Sequence, residues 1–420
     1  MIPSHGKILG VCYSGLTVVL VLMMACKTQK SLTAESTRVF TVAEQQYDNM
    51  LKVATDLTKY PRGGAPDGTL RYVGIGDWTG GFWPGCLWYV YENNKQEKWK
   101  EAAIRWTESL EQNQYNTKHH DIGFMMNNSY GHAYRFTGKQ EYKDILIQSA
   151  KSLLKRYNPI IGSIQSWNTV KSAGGNTWEF PVIIDNMMNL ELLFLVSQFT
   201  GDTTYKEIAI RHAETTMKNH LRPDYSSYHV VNYDTESGKV LHQQAAQGFS
   251  DNSTWARGHA WGVYGFVSCY RFLKDERYLQ TAQRMADFYL DHPNLPSDKI
   301  PYWDFNAGQP GFNPEWQYDA SKHQPVLRDA SAAAIISSAL LELSSYSNAS
   351  KKRKYYDAAI KMLETLSSSE YLATPGSNNN FILKHSVGHY PKNSEVDVPI
   401  IYADYYFLEA LLRQRTGRFF

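Results

Sequence analysis

Cysteine is scarce in this 420-residue chain: Cys12, Cys26, Cys86 and Cys269 are its four. Two of them fall in or beside the N-terminal apolar segment, which leaves Cys86 and Cys269 to pair in an oxidising compartment or, as their apolar helical faces favour, to serve as small core residues. Histidine spacing that would hold a metal is missing, and so is a paired-cysteine zinc pattern, so no metal site is expected. A glycine-rich phosphate loop opening from a strand and a Gly-x-Ser-x-Gly nucleophile elbow are also missing. Nothing in the sequence asks for a cofactor. Excess charge is lacking too, with 43 Lys and Arg against 41 Asp and Glu. That balance argues against a nucleic-acid partner held by net positive charge. Beyond residue 25 no run is apolar enough to span a bilayer.

The chain does contain a basic start at Lys7, an apolar stretch from Ile8 to Ala25, and Cys26 directly after it. This pattern describes a secretory signal over residues 1–25, with Cys26 lipidated after cleavage as in bacterial lipoproteins. Residues 26–38 are then expected to be a flexible tether. Residues 39–420 form one domain, since no linker or low-complexity tract divides them. The mature protein is expected to face the periplasm, tethered to the membrane only by its lipid, as a monomer or weak homodimer.

Helical periodicity predicts twelve helices, over 39–57, 82–93, 96–113, 120–138, 140–158, 183–200, 203–221, 254–274, 276–292, 328–347, 350–370 and 400–416. They alternate in kind. One kind carries an aromatic followed four places later by a small or aliphatic residue, as in Trp99/Ala103, Tyr142/Leu146 and Tyr278/Ala282, giving one apolar stripe and one solvated face. The other is small or apolar nearly all round, as in the run from Ala330 to Leu340, and must be buried. Six outer helices alternating with six inner ones predict an all-α (α/α)6 barrel. If the inner helices run parallel, their N-termini share one end, and there the unusual polar and aromatic residues collect: Trp83, His120 with Asp121, Asp185 with Asn186, Trp255 to Trp261, Arg328 with Asp329, and Asp397 with Asp404. The long connections 222–253 and 293–327 would wall that mouth.

Two aspartates stand out. Asp185 interrupts the apolar run from Phe180 to Leu190, and Asp121 opens the segment His120-Asp-Ile-Gly-Phe124. An ionised carboxylate is costly to bury alone, and an apolar wall that keeps one protonated makes an acid catalyst near neutral pH. Two carboxyls sharing one pocket would strengthen the effect. The competing reading is that each aspartate merely caps a helix. Arg257 and Trp261, four apart, present a carboxylate-binding fork and a plate for a ring. Their competing reading is a structural stack, with Arg257 paired to a local carboxylate such as Asp251. His229 and His259, each taken alone, read more readily as satisfied structural histidines than as catalysts. Lys384, His385, His389 and Lys392, in the polar stretch before the last helix, could meet an acidic substrate or simply be solvated. Aromatics at 14 %, with 29 Tyr and 11 Trp, lean towards carbohydrate.

Four separated segments carry a resemblance: His120-Asp-Ile-Gly-Phe124, Ile183-Ile-Asp-Asn-Met-Met-Asn189, Ser253-Thr-Trp-Ala-Arg-Gly-His-Ala-Trp261 and Asn393-Ser-Glu-Val-Asp-Val-Pro399. In that order they resemble the unsaturated glucuronyl hydrolases of glycoside hydrolase family 88. The resemblance implies an (α/α)6 barrel and a substrate that is an acidic oligosaccharide left by a polysaccharide lyase, ending in a 4,5-unsaturated uronic acid. It implies hydration of the C4=C5 double bond, with Asp185 as acid and base and Asp121 supporting it. Gln247, Arg257, Trp261 and His229 would contact the unsaturated sugar, and Trp83 and Trp167 match the family's stacking aromatics. His259 stands where many relatives carry glutamine. An unsaturated rhamnogalacturonyl or ulvan-type uronyl hydrolase, and a glycan-binding lipoprotein without catalysis, are the alternatives.

Overall fold

The computed structural model describes residues 12–419 apart from Pro66, Lys322 and His323, with side chains from Thr33 onward. The signal segment expected at 1–25 and the lipidation expected at Cys26 therefore lie outside the residues whose side chains are described. Among the described residues no helix is long and apolar enough to cross a membrane.

Twelve α-helices follow one another: α1 (Cys12–Val53), α2 (Phe82–Asn94), α3 (Glu97–Glu108), α4 (His132–Thr137), α5 (Gln140–Leu154), α6 (Leu190–Thr200), α7 (Thr203–Asn219), α8 (Ala256–Leu273), α9 (Glu276–Asp291), α10 (Ala330–Tyr346), α11 (Ala349–Leu366) and α12 (Ile401–Thr416). The even-numbered helices form an inner ring that closes where α12 packs on α2. Their burial follows their composition. Every residue of α10 from Ala330 to Ser344 is buried, whereas α9 buries only the stripe containing Tyr278, Ala282, Met285 and Tyr289. Odd helices thus shield even ones, in an (α/α)6 barrel.

The tether expected at 26–38 is instead part of α1. Ser36 and Val39 are buried, and the Arg38 guanidinium donates to the Ser367 carbonyl at 2.6 Å, so the helix is docked on the barrel before residue 39. Two inner helices also begin differently from expectation. The segment read as one helix over 120–138 opens as a π-helix, Gly123–Gly131, and α6 is preceded by a 3-10 turn, Ile184–Asn189. Both irregular starts lie where the aspartates stand. Ring closure depends on a missing side chain at Gly85: a Cβ there would come within 2.5 Å of the Tyr405 ring and 2.6 Å of the Asn128 carbonyl.

Periodicity did not predict the short strands, which all lie in the connections. Phe180–Ile183, Val230–Tyr233 and Val240–Gln244 make a three-stranded antiparallel sheet. Ser386–His389 pairs with Ser394–Val398 as a hairpin, and Lys59–Gly64 pairs with Leu70–Gly74. The connection 293–327 packs under the first hairpin, where Trp303 stacks on Tyr390 at 4.7 Å.

Deep in the ring, Glu342 of α10 accepts from Arg271 of α8 at 2.7 and 2.9 Å and pairs with Arg413 of α12 at 3.2 Å. Arg271 also reaches Glu191 of α6 at 2.5 Å. This ties four inner helices together, and removing one member leaves uncompensated buried charge. Glu342→Ala is expected to lower unfolding stability by roughly 3–5 kcal/mol, measured as the shift of the urea midpoint against wild type.

Candidate active site

A cavity of about 220 Å³ opens at the N-terminal ends of the inner helices. Trp78 precedes α2, His120 and Asp121 precede the π-helix, Asp185 stands in the turn before α6, Arg257 lies in the first turn of α8, and Tyr402 lies in the first turn of α12. The sixth inner helix contributes indirectly, because Asp329, the N-cap of α10, pairs with Arg257 at 3.4 Å.

Neither catalytic candidate is a helix cap. Asp329 accepts from the Ser331 amide and so caps α10, but no side-chain cap is made at the starts that hold Asp121 and Asp185. Asp185 is buried, and its Oδ2 has no hydrogen-bond partner. Burial pushes its carboxyl up to about 7, with Arg257 acting against the shift and Asp121 adding to it. For Asp121 burial also acts upward, but His120, His119 and Arg156 outweigh it, and its carboxyl is held below the usual range. His120 Nε2 lies 3.2 Å from one of its oxygens and His119 Nδ1 3.3 Å from the other. The two environments drive the carboxyls apart, giving one acid and one standing anion.

Strand register places His229 beside the acid. Ile183 pairs with Val230, and the Ile184 amide donates to the His229 carbonyl at 3.0 Å, so the residues flanking that pair face each other. His229 Nε2 lies 3.7 Å from Asp185 Oδ2. The amides of Ala246 and Gln247 both donate to His229 Nδ1, each at 3.1 Å. Nδ1 is therefore unprotonated and the ring proton sits on Nε2, towards the acid. Burial, reinforced by His389 and Arg257, keeps this ring neutral. An N–H aimed at Asp185 stabilises its carboxylate once the proton has left.

Arg257 lines the cavity with its guanidinium largely committed. It donates to the carbonyls of Val387 and Gly388 and sits over the rings of Trp255 at 4.5 Å and Tyr402 at 5.1 Å. The structural stack considered from sequence exists, but with different partners. Asp251 instead accepts from the Ala245 amide, and Trp261 packs edge-on against Phe124 and Tyr406. Gln247 and Trp167 also face the cavity, with Gln247 donating to the Gly388 carbonyl at 3.2 Å and Trp167 stacked on Trp178.

Three expected contacts lie elsewhere. Trp83 is wholly buried between Tyr47 and Trp106, because it points from α2 towards the outer helices. Trp261 is likewise wholly buried and off the cavity wall. His259 bonds Ser227 at 3.1 Å and the Met285 carbonyl at 2.9 Å, both away from the cavity. Asp404, also expected at the mouth, accepts from the amides of Ile382 and Leu383 and from the Tyr47 hydroxyl. Of the four basic residues before α12, His389 and Lys392 reach the cavity. Lys384 donates to the Ser369 carbonyl and His385 pairs with Asp397 at 2.7 Å.

Four lining residues were not foreseen: Trp78, Arg62, Glu395 and Tyr402. Trp78 stacks on Tyr402 at 5.3 Å, and Arg62 bridges Asp77 and Glu395 at 2.8 and 2.6 Å. Trp83 was the stacking aromatic expected from the segment Gly76-Asp-Trp-Thr-Gly-Gly-Phe-Trp83, whose other tryptophan, Trp78, faces the cavity instead. Arg62 carried no comparable signal in the sequence.

The glycosyl hydrolase family 88 model matches residues 51–407. The chain belongs to glycoside hydrolase family 88. It is 45 % identical over 376 residues to the unsaturated glucuronyl hydrolase of Formosa agariphila, covering 89 % of each chain. The crystal structure of an unsaturated glucuronyl hydrolase specific for heparin superposes with a TM-score of 0.79 at 43 % identity, over 93 % of this chain and 96 % of that one. A variant of the Streptococcus agalactiae unsaturated glucuronyl hydrolase, complexed with dGlcA-GalNAc6S, gives 0.76 at 29 % identity, over 92 % and 93 %.

Because Asp185 binds its proton more tightly folded than unfolded, the native state loses stability as pH rises from about 4 through about 7. Asp185→Asn removes that loss. Its melting temperature is expected to exceed wild type at pH 8, with the gap closing towards pH 4. A gap independent of pH would mean that Asp185 is ionised throughout.

Proposed function

We propose that this family 88 glycoside hydrolase removes the non-reducing-end 4,5-unsaturated glucuronic acid from lyase-generated glycosaminoglycan oligosaccharides by hydrating the C4=C5 bond. The observation that carries the reading is Asp185, buried and raised to about 7 with Oδ2 uncommitted in a cavity that it shares with Asp121. Protonated Asp185 delivers its proton to C4, and the positive charge that develops at C5 is shared with the ring oxygen. The carboxylate left behind, facing the His229 N–H, then takes a proton from the water that attacks C5. The resulting hemiketal opens, and its C1 hemiacetal collapses to release the neighbouring sugar. Ionised Asp121 raises the acid and faces the same ring.

Substrate binding divides between plates and charge. Trp78, Trp167 and Tyr402 supply aromatic faces. Arg62 and Arg257 are matched by carboxylates, whereas Lys392, exposed at the rim, pairs with none among the described residues, which suits an anionic sugar. Heparin-derived substrates are favoured over chondroitin-derived ones, because the heparin-specific relative shares 43 % identity with this chain and the relative bound to dGlcA-GalNAc6S shares 29 %.

Decay of the ultraviolet absorbance of the conjugated bond tests the reading. Unsaturated disaccharides from heparin should lose it with enzyme, and Asp185→Asn should abolish turnover while leaving disaccharide binding intact. Full activity of that variant would overturn the role of Asp185, since an amide cannot deliver the proton. The wild-type kcat/KM should fall as pH rises through about 7.

Export as a lipoprotein facing the periplasm is also proposed, on the strength of Lys7, the apolar stretch to Ala25 and Cys26. Metabolic labelling with a radioactive fatty acid should mark the wild-type chain and not Cys26→Ser. Equal labelling of the two would refute it.

A further inference from the structure

The barrel holds a second cavity, larger than the first at about 390 Å³ and sharing no lining residue with it. It lies further along the inner helices, walled by Tyr89 of α2, His132 of α4, Glu191 of α6, Tyr264 of α8, and Tyr405 and Tyr406 of α12. The π-helix forms one wall, presenting Phe124, Asn127, Asn128 and Gly131. Extended π-helix is rare and concentrates at functional sites, yet the catalytic groups precede this one instead of lying within it. The volume falls in the range of about 300–1,000 Å³ common to small-molecule sites.

Its electrostatics select what could enter. Every formal charge on the wall is already matched inside the protein. Arg135 bonds Glu92 at 2.7 Å, and Arg271 holds Glu191 and Glu342. Glu409 takes the hydroxyls of Tyr89, Tyr264 and Ser338 and lies 3.5 Å from Arg413. Arg135 also donates to His132 Nδ1 at 3.0 Å, which leaves the ring proton on Nε2, directed at the Tyr405 oxygen 2.9 Å away. Burial keeps that ring neutral. An ionic ligand would be desolvated there with no counter-ion to meet it, so the uronate substrate is a poor fit. Neutral hydrogen-bonding capacity is available. Asn128 is 7 % exposed and its Nδ2 has no partner, although buried amides are nearly always bonded. Tyr and Phe faces around it supply flat apolar surface.

We propose that this second cavity binds a neutral monosaccharide, stacked on its tyrosine and phenylalanine faces and hydrogen-bonded by the Asn128 amide. The site is independent of the hydration reaction and is tested without turnover. Ligand-observed NMR on the full chain would titrate glucose and N-acetylglucosamine, with glucuronate and phenol as contrasting probes. Saturable binding of a neutral sugar is expected, unchanged when unsaturated disaccharide fills the first cavity of Asp185→Asn. Two variants should weaken it at least tenfold: Asn128→Leu, which removes the amide, and Leu195→Trp, which fills the cavity from its part-exposed edge. Leu195→Trp should keep wild-type turnover, which shows that it folds and separates loss of the site from loss of the barrel. No saturable binding of either sugar, displacement by the disaccharide, or binding that survives Leu195→Trp would overturn the proposal. Tighter binding of glucuronate or phenol than of the sugars would overturn the ligand class.

Discussion

Shielding of the inner helices from water by the outer ones is the constraint on which the chemistry rests. An inner helix such as α10 has no solvated face, so any ionisable group it carries sits in low dielectric and must be matched, capped or neutral. Ring closure between α12 and α2, possible because Gly85 has no side chain, completes that shielding.

The same low-dielectric interior treats buried carboxylates in three ways. Glu342 is matched by two arginines and links helices. Asp329 is spent on a helix N-terminus and on Arg257. Asp185 alone of these three keeps an uncommitted oxygen, and it is the one placed in the cavity. Burial pushes the Glu342 carboxyl up, but Arg271 and Arg413 outweigh it and hold it below the usual range, whereas burial still raises Asp329 despite its bonds. For Asp185 the same desolvation appears as a retained proton, which is what an acid near neutral pH requires.

Irregular backbone does the positioning. The π-helix at Gly123–Gly131 follows Asp121, the 3-10 turn at Ile184–Asn189 contains Asp185, and the cross-strand pair Ile183–Val230 brings His229 to Asp185. Regular helices supply the frame, while departures from regularity aim the side chains.

Twelve helices, their alternation into shielded and shielding kinds, and the aspartates of the cavity were all legible in the sequence, because each leaves a local trace. An apolar stripe repeats every three or four residues, and a carboxylate inside an apolar run is conspicuous. The four motifs carried the family for the same reason. What tertiary structure decided depended on contacts far apart in the chain. Trp78 faces the cavity and Trp83 the outer wall, although they stand five positions apart, since Trp78 stacks on Tyr402 of α12 while Trp83 packs against Tyr47 of α1 and Trp106 of α3. Trp261 and His259 are turned into packing by Phe124, Tyr406 and Met285, which no local pattern announces. Arg62 enters the site through Glu395, more than three hundred residues away. Periodicity records whether a residue is buried; which neighbours bury it is settled only when the ring closes.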